Sequence, residues 1–354
     1  MSLLLFTAVS GAFSRAFSVV FPAPFSGLTA DLSCGKRSLM GLSLCLFMFA
    51  EMPASADPAP PLAGAMASAI ISPMSEPGLP AGLLFENMQI PYLFWVELEA
   101  GKLHVLERKA PGSYVRLTTR PISIGKNGIG KQVEGDLRTP VGVYQFTSFL
   151  ADARLDDYYG AGAYPVNFPN SWDRLQQRSG HGIWLHGLPK GVDSRPPRDS
   201  EGCVIIDNPS FTALSEFVAP GESLVVLSRS MTWLAPGSAQ AAGDIVEAIE
   251  GWRLAWEANK HDDYLAHYHA DFSDSRRGLA EWSAYKRRVN RFKKSINVSL
   301  SQMSVVEYPG EENLVAVRFY QNYSSSNYQW RGWKQLLWRR DDVGVWRILY
   351  EGNG

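Results

Sequence analysis

Two residues in one segment of this 354-residue chain have the types that nucleophilic catalysis needs, His186 and Cys203. They stand seventeen residues apart in GHGIWLHGLPKGVDSRPPRDSEGCVIIDN, residues 180–208. A free thiol titrates near about 8.5, so little thiolate exists at neutral pH, and a neighbouring imidazolium lowers that value by stabilising the anion. This is the chemistry of acyl transfer, with Cys203 taking the acyl group and His186 acting as base. The apolar run Ile183-Trp184-Leu185 predicts a strand that delivers His186, and Val204-Ile205-Ile206 predicts a neighbour reached through the intervening loop. Gly202, lacking a Cβ, allows a tight turn in which N–H groups at 202 and 203 point at a developing oxyanion; one such donor is worth about 3 kcal/mol of barrier. Ser200 can bond the loop backbone and hold that turn. Taken singly, His186 reads as a structural histidine and Cys203 as a small core residue. With His181 the pair also has zinc-ligand types, but a short paired spacing such as C-x-x-C is missing. The joint pattern favours a Cys–His nucleophile with no metal and no diffusible cofactor.

Cysteine usage points the same way. Of three cysteines, Cys34 and Cys45 fall in residues 1–56, a stretch with only five charged side chains (Arg15, Asp31, Lys36, Arg37, Glu51). Lys36-Arg37 precedes an apolar run at 39–50, and Ala54-Ser55-Ala56 follows. A positive region, a short apolar region and an A-x-A exit predict a secretory signal peptide cut before Asp57. An uncleaved anchor is the alternative, but the 12 apolar residues fall short of the roughly 20 that a spanning helix needs. Residues 1–35 read as an over-extended gene start. The expected location is periplasmic, and the mature chain keeps Cys203 with no bridge to make in an oxidising compartment.

The elements that must position the pair lie on either side of it. Residues 57–89, rich in Pro, Ala, Gly and Ser, predict a flexible linker. Residues 90–229 predict a mostly β domain, with an antiparallel hairpin start over 92–118 and strands at 121–124, 141–146, 183–186, 203–206 and 223–227. One helix is expected at 209–218, with Asn208 as its cap. A second linker spans 230–243. Residues 244–354 begin with helical spacing of Ile245, Ile249, Trp252, Ala255 and Trp256 and an amphipathic helix over 280–293. Strands at 296–308, 313–322, 333–338 and 346–351 then complete an α+β domain. No internal repeat is visible.

The His-Gly pair, the loop and Ser-x-Gly-Cys-Val together resemble the signature of the L,D-transpeptidase (YkuD-type) catalytic domain. Upstream, Gly135-Asp136-Leu137-Arg138-Thr139-Pro140-Val141-Gly142-Val143-Tyr144 resembles a D-x-R-T-P-x-G-x-Y stretch of that family, and the two motifs cover roughly residues 90–229 in the right order. The resemblance implies that Cys203 attacks the amide between the third residue and D-Ala of a peptidoglycan stem peptide. His186 would be the base, Ser200 and Gly202 would shape the site, and Gly187 would lie against the substrate. Many members carry Arg two residues after the Cys, where this chain has Ile205, so the group that orients the substrate carboxylate is moved or absent. Arg138, Arg195 and Arg198 are the candidates, with Arg138 and Arg198 preferred. A subset with GIWLHG, a Pro-Pro loop and a second domain is more similar still, and some of its members trim tetrapeptides as L,D-carboxypeptidases. Transpeptidase, carboxypeptidase and non-catalytic wall-binding module therefore remain as readings.

The periodic aromatics of residues 244–354 (Trp252, Trp256, Tyr264, Tyr268, Trp282, the run 317–323 and Trp346) resemble the nuclear-transport-factor-like, or SnoaL-like, cone fold. Such a fold implies a pocket for part of the glycan or stem peptide, or a surface for a homodimer, although most of these aromatics are expected as core. Lys286, Arg287, Arg288, Arg291, Lys293 and Lys294 read as a solvated helix face that could meet anionic wall polymer. His261, His267 and His269 lack the carboxylate spacing of a metal site. A formal net charge of −1 gives no basis for a nucleic-acid partner.

Overall fold

In the computed structural model, residues 76–236 and 243–354 are described. The stretch expected as a signal peptide, with Cys34 and Cys45, lies outside them. The catalytic region is built on a five-stranded sheet in the order Ser113–Pro121, Lys102–Ala110, Tyr92–Glu97, Leu224–Ser228, Gly142–Gln145. Leu224–Ser228 runs parallel to Tyr92–Glu97 and antiparallel to Gly142–Gln145. Its period-2 alternation sends Val225 and Leu227 to one core with Phe94, Val96, Leu185, Val204 and Ile206. Leu224 and Val226 go to the opposite face with Leu93 and Trp95. A central strand covered on both sides must be apolar throughout, which is why LVVLS reads as an unbroken run.

The second region carries a six-stranded sheet in the order Tyr268–Ser273, Trp346–Asn353, Tyr328–Arg340, Leu314–Ser325, Ile296–Glu307, Leu83–Glu86. Val305, Val317, Leu336 and Trp338 face inward onto the helices Gly243–Glu257 and Leu279–Asn290 through Ile245, Ile249, Trp252 and Trp282. Their neighbours Val306, Ala316 and Leu337 face outward and join Leu93, Trp95 and Val226 of the first sheet. Both faces are therefore apolar, and the two regions share a core within one compact unit.

This packing overturns part of the linker expectation. Leu79–Pro80 pairs with Trp233–Leu234, and Leu83–Glu86 adds an edge strand beside Ile296–Glu307. Leu79 and Leu83 are buried in the shared core, so from Leu79 onward the first linker is structure, and so is part of the second. Two smaller differences follow from local chemistry. The helix Asn208–Leu214 is capped by Asp207, whose side chain accepts from the Ser210 N–H (2.8 Å), and not by Asn208. The helical texture expected after 244 stops at Glu257, where Asn259 has φ +54°. A short helix His261–Leu265 and the strand Tyr268–Ser273 follow.

A polar clasp completes the junction. Asn170 Nδ2 donates to Val143 O (2.9 Å) and to Tyr308 Oη (2.8 Å), and Trp172 Nε1 donates to Glu311 Oε1 (2.9 Å). Tyr144 Oη donates to the buried Asp173 carboxylate (3.0 Å), which Arg178 also meets (3.0 Å). Tyr308→Phe keeps the ring and removes one acceptor from the buried Asn170 amide. A loss of about 1–3 kcal/mol is expected, read as a shifted urea midpoint at unchanged slope.

Candidate active site

The strand Trp184–Gly187 lies between Gly162–Pro165 and Val204–Ile206 in a four-stranded sheet. It runs parallel to Val204–Ile206 in a register that sets Leu185 opposite Val204 and His186 opposite Ile205. Leu185, Val204 and Ile206 enter the core, so alternation turns Trp184, His186 and Ile205 to the other face, while Cys203 stands just before its strand with its thiol on the main chain at Gly182 and Trp184. His186 is 0% exposed, while Cys203, the free cysteine among the described residues, is partly exposed.

The turn before Cys203 is held from two directions. Ser200 Oγ donates to Cys203 O (2.6 Å) and accepts from the Gly202 N–H (3.1 Å). Thr139 Oγ1 donates to Gly202 O (3.0 Å) and accepts from the Gly125 N–H (3.0 Å). Gly202 has φ +126°, and a Cβ there would stand 2.8 Å from Arg138 O. The 135–144 stretch thus backs the nucleophile turn through its main chain and Thr139. Asp136 organises that stretch by accepting from Lys131 Nζ and from the N–H groups of Gln132, Val133 and Arg138. Burial pushes its carboxyl up, but these donors outweigh it and hold the group down at about 2. The Gly202 N–H is engaged by Ser200 Oγ in this structure.

His186 Nδ1 lies 2.8 Å from Gly187 O. A carbonyl only accepts, so Nδ1 carries the proton and Nε2 is left with its lone pair. Nε2 is buried and has no partner. Burial pushes the imidazole down to about 4, with Arg195 adding to the effect against the Gly187 hydrogen bond. Burial likewise pushes the Cys203 thiol up to about 11, and the Glu201 carboxylate adds to it, against the Trp184 N–H and the charges of Arg195 and Lys131. The thiol donates to Gly182 O (3.3 Å). The resting pair is therefore neutral. This reverses the direction expected from sequence, where an imidazolium lowered the thiol, because desolvation outweighs the neighbouring charges. Alkylation by iodoacetamide is expected to be slow at pH 7 and to climb through about pH 11. At neutral pH the thiolate population is at least about 100-fold below that of an ordinary thiol. A rate that levels off below pH 8 would contradict a thiol held neutral by its surroundings.

The remaining sequence candidates separate. Gly187 is buried: a Cβ there would meet Asn208 Oδ1 at 2.1 Å, and its carbonyl serves His186. Arg138 is exposed, with Nη1 on Ile129 O (3.3 Å), and Arg198 is exposed beside Gly128. Arg195 is the arginine whose charge acts on both His186 and Cys203. His181 sits on the surface against Glu134 (3.4 Å), and no group of three or more His, Cys, Asp or Glu among the described residues could hold a metal. Sequence reasoning missed Tyr158 and Tyr159, whose ring centroids lie 5.7 and 5.1 Å from that of His186. Their signal was the acidic-aromatic DDYYG stretch, in which Asp156 caps a single turn by accepting from the Tyr158 N–H (2.9 Å). In the second region Lys286 is not on a solvated face. It is buried, with Nζ 4.3 Å from the Trp256 ring and 4.5 Å from that of Trp282, and burial pushes it down to about 8.

Comparison with known proteins follows this geometry. Residues 91–227 match the L,D-transpeptidase catalytic domain (YkuD), and residues 244–352 match the Cds6 C-terminal NTF2-like domain. The solved structure of Bd1075 from Bdellovibrio bacteriovorus is similar at 28% identity and TM-score 0.65, over 77% of this chain and 97% of that one. The helical cell shape determining protein Pgp2 from Campylobacter jejuni shares the fold at 24% identity and TM-score 0.64, over 82% of this chain and 98% of that one. The search of curated proteins gives no match.

Proposed function

We propose that this chain, which joins a YkuD-type L,D-transpeptidase catalytic domain to an NTF2-like domain, is an acyltransferase acting on peptidoglycan stem peptides through a Cys203 thioester. The observation that carries the reading is the fixed tautomer of His186, with Nδ1–H held by Gly187 O and the Nε2 lone pair unpartnered. The strand that carries His186 also pairs with the strand that Cys203 immediately precedes. In the acylation step the thiol proton moves to Nε2 as the Sγ–C bond forms at the carbonyl of the third stem residue. The C–N bond to D-Ala then breaks, and the imidazolium returns the proton to the leaving amine. An amine or water attacks the thioester in the second half, with His186 taking its proton and restoring the thiol. The resting imidazole is neutral, so its Nε2 lone pair is available, and the thiol proton moves to it as the Sγ–C bond forms and not before attack.

Export to the periplasm belongs to the same proposal, supported by Lys36-Arg37, the apolar run at 39–50 and Ala54-Ser55-Ala56. So does a part in determining cell shape, supported by the likeness to Pgp2, a helical cell shape determining protein. The test is incubation of the purified protein with muropeptides and resolution of the products by mass, with Cys203→Ala as control. Cross-linked dimers mean transpeptidation, and tripeptides alone mean trimming by the same site. Products identical to those of the control would refute the enzymatic reading and leave a wall-binding module.

A further inference from the structure

The position two residues past Cys203 gives substrate no charge. Ile205 is 1% exposed, and its N–H and C=O are both paired with Ser123, at 2.8 and 2.9 Å. A cation for an anionic substrate must come from elsewhere. The two cations that act most on Cys203 are Arg195 and Lys131. Lys131 is occupied, with Nζ donating to Asp136 Oδ1 (2.9 Å) and Val133 O (3.2 Å). Arg195 is occupied on one edge only. Its Nε donates to Asp199 Oδ2 (2.8 Å), and Nη2 donates to Asp199 O (2.6 Å) and Tyr158 Oη (3.3 Å), but Nη1 is buried and has no partner. A guanidinium is planar and presents its donors in a fixed fork, so anchoring one edge on Asp199 fixes where the free corner points.

The Tyr158 ring links this corner to the base. It lies 5.4 Å from Arg195 Cζ and has its centroid 5.7 Å from that of His186, whose Nε2 is the other buried unpartnered atom here. Other unpartnered buried atoms, such as the indole N–H groups of Trp256, Trp282 and Trp338, lie in the core; these two differ in flanking one exposed ring, where a ligand can complete them. We propose that Arg195 anchors the C-terminal carboxylate of the peptide attacked at Cys203, through Nη1, when the Tyr158 ring is displaced. This rests on the reading of Cys203 as acyl acceptor and supplies the cation that Ile205 lacks.

The experiment measures binding, so it does not depend on turnover. A stem tetrapeptide ending in D-alanine, as the free acid and as its C-terminal carboxamide, is titrated calorimetrically into the Cys203→Ala protein with or without Arg195→Gln. The acid is expected to bind Cys203→Ala about 30-fold more tightly than the amide. Arg195→Gln abolishes that preference, and Arg195→Lys restores part of it. Equal binding of acid and amide to Cys203→Ala overturns the proposal by itself, even where the Arg195 variants fail to fold. A preference that survives Arg195→Gln also overturns it. An intact, Arg195-dependent preference in a protein whose wild type forms no product would refute acyl transfer and leave the anchor standing.

Discussion

Replacing His186 with glutamine is expected to lower turnover of a stem peptide by about 10³-fold while leaving its binding nearly unchanged. Glutamine has nearly the reach of imidazole and its amide N–H can still donate to Gly187 O, but it has no basic nitrogen where Nε2 stands. The same variant makes a second prediction through stability. An unfolded imidazole takes up its proton near 6.5, whereas the folded one does so only near 4. Acidification between those values therefore favours the unfolded chain. His186 contributes full stability above about pH 6.5, and about 3 kcal/mol is lost as pH falls towards 4. Urea unfolding at pH 7 and pH 4.5 should show that loss in the wild type and a shallower one in His186→Gln. Equal slopes with pH in both proteins would show that the imidazole is not held neutral by burial.

Gly202→Ala is expected to remove activity by displacing the nucleophile itself. The position has φ +126°, which side chains rarely adopt, and the new Cβ would stand 2.8 Å from Arg138 O and 3.0 Å from Ile183 Cδ1. The nearer neighbour, Arg138 O, is main chain, so the backbone must move, taking with it the Ser200 and Thr139 bonds that hold the turn. A cost of about 2–4 kcal/mol is expected, together with a fall in turnover of at least about 10²-fold. Gly191→Ala is the control for strain alone. It has φ +77° with nothing within 4 Å of the added carbon, and a cost of about 1 kcal/mol is expected. If Gly202→Ala unfolds no more easily than Gly191→Ala and retains turnover, the tight seat of the nucleophile is refuted.

The pair at the centre of the site was legible because its signals are local. The apolar triplets beside His186 and Cys203 predict strands, and parallel pairing of those strands brings the two segments side by side. The Asp136–Thr139 stretch was legible as a partner only through family resemblance. Its physical role, a hydroxyl on Gly202 O and a main chain against Gly202, depends on a contact 63 residues away in sequence. Burial was the main thing the sequence withheld. Nothing in the types of His186 and Cys203 says that both are desolvated, and that is what reversed the expected ionisation.

The arginines show a related limit. Arg138, Arg195 and Arg198 all lie near the motifs in sequence, and only the fold shows that Arg195 turns towards Tyr158 and Asp199 while Arg198 is exposed beside Gly128. The linker error has the same origin at larger scale. Pro, Gly and Ala around Leu79 and Leu83 disguised two short strands, and their apolar side chains are explained only by a second sheet that the sequence places more than 200 residues downstream.

One measurement bears most directly on the claim that Cys203 carries the acyl group. Wild-type protein mixed with a tetrapeptide muropeptide, quenched in acid and analysed by intact mass and peptide mapping should carry the muropeptide less its D-alanine on the Cys203 peptide. The adduct should be lost on treatment with hydroxylamine, as a thioester is. Product formation with no adduct, undiminished in Cys203→Ala, would contradict the account.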